Sequence, residues 1–200
     1  MVYNSIIAEY PALAARSAAR LDPDAALIDG ALGLSGEIDE LAQAAWANDS
    51  AAVLDEAGDV LWYLVVRWYP AFSWCNPANE AECWADTVGK IAKYEWGDSR
   101  PFHLVRNLIK HKLLLTERVK KTHSRVLKQG SPYPQIGWAA CLTKDNGLLE
   151  DEVGFVLWGV YALLKEFGYT LEDACLANIA KLEARHPDGF NPGYTKEVSS

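Results

Sequence analysis

An all-α fold, a helical bundle, is what this sequence predicts, and three observations predict it. Apolar residues recur at helical spacing along almost the whole chain. No convincing run of strict alternation appears, so strands are not expected. Proline and turn residues gather in a few short stretches, chiefly 70–77, 95–101 and 129–147, and leave the rest free for helix. The 200 residues are half hydrophobic, enough to bury a real core as one large domain or two small ones.

Helices are expected at about 3–20, 25–47, 51–69, 78–94, 101–128, 148–167 and 171–185. The first and fourth rest on apolar spacing alone. In 25–47, Leu34, Ile38, Leu41 and Ala45 make one apolar stripe. Asn48, Asp49 and Ser50 then turn the chain and can cap the next helix. In 51–69 the main stripe is Leu54, Leu61, Leu64, Val65 and Trp68, flanked by Val60, Trp62 and Val66. Leu108, Leu115 and Val119 mark the inner side of 101–128. Gly168 suits the end of the sixth helix, and Thr170 with Asp173 forms a capping box for the seventh. His186-Pro-Asp-Gly189 stops that helix, because proline cannot continue it.

The formal charge of −8 disfavours non-specific attraction to nucleic acid or to an anionic membrane, so neither is expected as a partner. An anionic ligand would need a local positive patch or a metal. The longest apolar run, Val60 to Val66, is far too short to span a bilayer. The amino end, MVYNSIIAEYPALAAR, lacks the basic start and apolar block of a secretory signal. Cys75, Cys83, Cys141 and Cys175 form no CxxC pair and read as ordinary thiols of a reducing compartment. A cytoplasmic location is expected.

Four acids interrupt the apolar pattern at regular spacing. Glu37 falls inside the stripe of helix 25–47 and Glu40 lies on its edge; Glu56 and Asp59 share a side of the next helix with Tyr63. That second helix is apolar nearly all round beyond Asp59, so a simple solvated acidic face is a poor explanation. Folding the two helices antiparallel about Asp49 brings all four carboxylates to similar heights. Acids without paired bases would repel strongly there, and a hard divalent cation removes the conflict. Oxygen-only ligands suit Mg²⁺ or Mn²⁺. Carboxylate-bridged di-iron bundles need two Glu-x-x-His pairs, whereas Glu183 with His186 is the one such spacing here, at a helix end.

A second polar group lies on helix 171–185. Leu171, Ala174, Cys175 and Leu182 form its inward stripe, and Asn178, Lys181 and Arg185 fall within that stripe. An unpaired lysine and arginine do not belong in a packed core. They either pair with internal acids or face a polar cleft, where they would balance the charge of a phosphate ligand.

These residues carry a resemblance. ALGLSGEIDEL (31–41) followed by LDEAGDVLWYL (54–64) is similar to the ExxE and ExxD signature of the MazG-like nucleoside triphosphate pyrophosphohydrolases. ANIAKLEARHPDGF (177–190) resembles the NxxKLxxRyPxGF segment that closes many of those domains. The two signatures bracket most of the chain. The resemblance implies an all-α bundle, usually an oligomer, that splits a (d)NTP into the monophosphate and pyrophosphate with Mg²⁺. Carried over, Glu37, Glu40, Glu56 and Asp59 would hold the metal, and one of them would orient or deprotonate the attacking water. Asn178 would donate a hydrogen bond to the nucleotide, and Lys181 and Arg185 would neutralise phosphates.

The chain departs from the family pattern in the long interval between the signatures. An internal comparison offers a reason. DEAGDVLWY (55–63) lines up with DEVGFVLWG (151–159), and LSGEIDE (34–40) more loosely with LLTERVK (114–120). The chain thus looks like two diverged copies, 1–95 and 96–200, similar to the tandem arrangement of dimeric dUTPases. In the second, Lys120 replaces Glu40 and Phe155 replaces Asp59, so Glu117 and Glu152 are too few for a like site. Lys110, Lys121, Arg125 and Lys128 share a band opposite the apolar side of 101–128, facing either solvent or a phosphate cleft. The expected function is Mg²⁺-dependent hydrolysis of a nucleoside triphosphate with one site per chain. The alternative is a catalytically inactive relative that binds nucleotide or pairs with other helices.

Overall fold

The computed structural model describes residues 5–18, 21, 23–68, 80–93, 100–129 and 146–187. Every regular element among them is helical, as the periodicity requires: α1 (Ser5–Ala15), α2 (Pro23–Trp46), α3 (Ser50–Tyr63), α4 (Glu80–Ile91), α5 (Pro101–Gln129), α6 (Asn146–Glu166) and α7 (Leu171–Arg185). A π-helical turn, Leu64–Trp68, extends α3.

Two of the seven spans differ from expectation for tertiary reasons. Helix α1 ends at Ala15, not near residue 20, where side chains take the Ala14 carbonyl. The Ser17 hydroxyl donates to Ala14 O at 2.8 Å, and the Trp62 indole reaches the same carbonyl oxygen at 3.3 Å and Ser17 Oγ at 3.0 Å. Both compete with continuation of the backbone ladder. The span 51–69 is α-helical only to Tyr63, after which the wider turn carries Arg67 and Trp68 onto α2. Arg67 Nε meets Asp29 Oδ2 at 2.7 Å, and Trp68 Nε1 donates to Gly30 O at 3.2 Å.

The caps follow the sequence. Asn48 takes a positive φ of 54°, and the Asp49 carboxylate accepts from Ala52 N at 3.0 Å, which opens α3 antiparallel to α2. Gly168 at φ 82° ends the turn after α6, a conformation that favours glycine. Thr170 and Asp173 make the reciprocal capping box of α7.

Helix α2 packs on α3 and α5, α5 on α6, α3 on α7, and α1 on α4 and α7. The fully buried side chains come from both halves of the sequence: Ile38 and Leu41, Leu61 and Leu64, Leu104, Val156 and Leu163, all in one cluster. Among the described residues no helix is long and apolar enough to cross a membrane. Cys175 is buried in α7, and burial followed by the nearby Glu172 charge pushes its thiol up to about 12, so it packs as an inert hydrophobe. The side chains of Cys75, Cys83 and Cys141 lie outside the described residues.

Candidate metal centre

Three of the four acids converge. Helix α2 presents Glu37, and α3 presents Glu56 and Asp59, each with a carboxylate oxygen within 4.8 Å of the others. The tight turn at Asn48–Asp49 sets this register, because it leaves the two helices antiparallel with Glu37 opposite the Asp59 turn. Glu40 is exposed and stands outside the triplet, though its charge still raises the pKa of both Glu37 and Glu56.

Helix α7 supports Asp59 from the other side. Asn178 Nδ2 donates to Asp59 Oδ1 at 2.8 Å, and Lys181 Nζ donates to Asp59 Oδ2 at 2.6 Å. Lys181 also reaches Asp55 Oδ2 at 2.7 Å. Burial disfavours the ammonium, but the hydrogen bonds to Asp55 and Asp59 outweigh it and hold its pKa above the usual lysine value. Of the two arrangements open to Lys181, ion pairing with internal acids is the one present, and those acids belong to the site itself. Arg185 is exposed and lines a cavity of about 210 Å³ together with Glu37 and Asp59. Trp62 and Tyr63 also line it. A second cavity of about 250 Å³ shares Ser17, Leu182 and His186 with the first and continues past Arg16.

Among the described residues, the acids in the second half do not form a like group. Glu152 is buried against His111 and lies 3.6 Å from Arg118, while Glu117 pairs on the surface with Lys120 and Lys121 at 3.3 and 3.8 Å. Phe155 stacks on the His111 ring at 4.3 Å between centroids. In the basic band, Lys110 and Lys121 are exposed; the side chains of Arg125 and Lys128 lie outside those described.

The triplet carries an electrostatic cost. Glu37 is pushed up to about 7, first by burial and then by the charges of Asp59, Glu40 and Glu56, with Lys181 opposing. Glu56 is raised too, first by burial and then by the charges of Glu40, Asp59 and Asp55, with Lys181 again opposing. A carboxyl whose pKa is higher folded than unfolded holds its proton more tightly in the fold. The penalty is therefore absent below about pH 4.5 and grows until pH passes about 7. Metal-free protein should melt at progressively lower temperature from pH 5 to pH 7.5, and Mn²⁺ should restore more stability at pH 7.5 than at pH 5. A flat melting profile across that window, measured by calorimetry with chelator present, would remove the electrostatic reading of the cluster.

Tyr10, Ser17, Asp55, Trp62, Tyr63 and His186 take part in the site but are absent from the sequence-derived site residues, although the helical pattern sets Tyr63 on the side of Glu56 and Asp59. Asp55 was within reach of pattern reasoning, being one helical turn before Asp59 on the same face. Trp62 and Tyr63 lie three and four residues beyond Asp59, one helical turn on. Tyr10 has no such signal, since it meets Asn178 across 168 residues of sequence. No protein-family model, curated protein or solved structure matches this chain.

Proposed function

We propose that this chain is a divalent-metal-dependent nucleoside triphosphate pyrophosphohydrolase of MazG-like type, yielding a monophosphate and pyrophosphate. The observation that carries this reading is the meeting of Glu37, Glu56 and Asp59 within 4.8 Å beside a cavity, with Asn178 and Lys181 fixed behind Asp59. The donor set fits a hard cation, because it is all oxygen and its three acids oppose one another, Glu37 strongly enough to sit near 7. Glu37, Glu56 and Asp59 would hold Mg²⁺, or Mn²⁺, and Glu40 is one turn away for a second contact. Such an ion, when bound, polarises phosphoryl oxygens and lowers the pKa of a bound water.

The chain's own residues supply the rest. Arg185 beside the cavity offers an always-charged fork to the phosphate tail, and Lys181 lends a second positive charge from its place between Asp55 and Asp59. Trp62 and Tyr63 give the cavity aromatic walls against which a nucleoside can pack. We read α5 and α6 as a diverged second copy whose equivalent position is closed by Phe155 on His111 and by the ion-paired Glu152.

Incubation with a panel of (d)NTPs and Mg²⁺, products separated by chromatography, tests the reaction. Monophosphate and pyrophosphate in equal amounts are expected, whereas diphosphate and orthophosphate, or no turnover of any nucleotide, would end this assignment. Titration with a non-hydrolysable triphosphate and Mg²⁺ should saturate at one per chain. Two equal independent sites would contradict the closed second copy.

A further inference from the structure

We infer that Tyr10, on the first helix, is a positioning residue of the metal centre, acting through the Asn178 carboxamide on Asp59. This inference rests on the metal-binding reading above. Tyr10 is fully buried and Asn178 is 1% exposed, so neither polar group can turn to water. The Tyr10 hydroxyl has one proton to give. Asn178 Oδ1 lies 2.9 Å away and Gly58 O 3.3 Å away, and the closer acceptor is the amide oxygen. With Oδ1 so engaged, Nδ2 faces Asp59 Oδ1 at 2.8 Å.

The order of these bonds fixes polarity. A carboxamide turned by half a rotation would set its oxygen against the Asp59 carboxylate, acceptor against acceptor. Tyr10 favours the working orientation by satisfying Oδ1 on the side away from the acids. The hydroxyl stays a donor at every working pH, because burial, then Cys175 and Asp59, raise its pKa well above the usual tyrosine value. Asp59 is thereby held at both oxygens, by Asn178 at one and by Lys181 at the other, with a carboxylate oxygen within 4.8 Å of those of Glu37 and Glu56.

Removing only the hydroxyl strands a buried amide oxygen without its donor. Oδ1 is then no longer held on the side away from the acids, so the amide orientation loosens and Nδ2 is held less firmly on Asp59. The role is therefore separable from packing, since Tyr10→Phe keeps the ring in the core.

The test uses the full chain and Mn²⁺ alone. Tyr10→Phe should weaken Mn²⁺ binding, measured by calorimetry or by the spin resonance of free Mn²⁺, roughly three- to tenfold. In an Asn178→Ala background the same substitution should change Mn²⁺ affinity no further. In metal-free protein the Asn178 side-chain amide resonances should move in Tyr10→Phe, a change that loss of ring packing elsewhere does not produce. Unchanged Mn²⁺ affinity with unchanged amide resonances overturns the role of Tyr10 and leaves the metal centre standing. An equal loss with and without Asn178 overturns the route through the carboxamide. An unsubstituted chain that binds no Mn²⁺ sinks the metal reading itself, and this inference with it. Should Tyr10→Phe not fold, the unsubstituted chain still decides: a hydroxyl proton on Tyr10, slow to exchange and close to the Asn178 side chain by NOE, is required.

Discussion

Glu37→Gln is expected to raise the melting temperature of the metal-free protein while turnover falls by about a hundredfold or more. The two effects have one cause. Glu37 is a carboxyl that burial and three neighbouring acids hold near 7, so at pH 7.5 its charge works against the fold. Glutamine keeps the shape and removes that charge, which leaves Glu56 and Asp59 with less to repel. The same change removes a donor that a divalent cation needs. Asp59→Asn should separate from it in sign. Asp59 accepts from Asn178 and from Lys181, so its loss leaves Lys181 16% exposed with Asp55 as its remaining acid, and stability should fall along with turnover. Calorimetry with chelator, set beside steady-state rates, distinguishes the pair. Loss of stability in Glu37→Gln, or full turnover in either variant, would show that the acids are not a strained metal site.

The difference between those two acids lay beyond the sequence, although both were legible there as site residues. Their convergence followed from spacing alone: helix rise and the Asn48–Asp49 turn put the pairs at one level, and the structure places Glu37, Glu56 and Asp59 together. Glu40 sits three residues from Glu37, about 60° around the helix from it, which turns it toward solvent at the rim. Caps were equally readable, because Asp49, Gly168 and the Thr170–Asp173 box act within a few residues of sequence. What failed was decided at long range. The early end of α1 accompanies the bonds of Ser17 and Trp62 to Ala14 O, and the π turn after Tyr63 accompanies Arg67 and Trp68 docking on Asp29 and Gly30. The polar stripe of α7 was visible, yet its partners were not: Asn178 and Lys181 meet Asp59 at separations of 119 and 122 residues. Tyr10 is core by burial, and only its hydroxyl belongs to the site.

Gly58→Ala is the substitution expected to damage stability and site together. Gly58 stands between Ala57 and Asp59 on the side of α3 that α7 covers. A Cβ there would lie 2.9 Å from Asn178 Cβ and 3.1 Å from the carbonyl oxygen of Ala174. Neither neighbour is the free end of a flexible chain, so the methyl has to push the helices apart. Overpacking of that kind costs about 1–3 kcal/mol, against which alanine's better helix propensity returns less than about 1 kcal/mol. The displacement falls on Asn178, whose amide supports Asp59 and whose oxygen receives the Tyr10 proton. Mn²⁺ affinity should therefore drop beyond the loss in Tyr10→Phe, with the melting temperature lowered by several degrees. Gly33→Ala is the informative contrast. Its Cβ would meet the far end of the Tyr63 ring, a half-buried side chain that can swing into the adjoining cavity. Gly33→Ala should then cost less stability than Gly58→Ala and leave Mn²⁺ binding near normal, while nucleotide affinity falls as Tyr63 fills the cavity. Equal effects of the two substitutions on Mn²⁺ binding would show that the α3–α7 contact does not position Asp59.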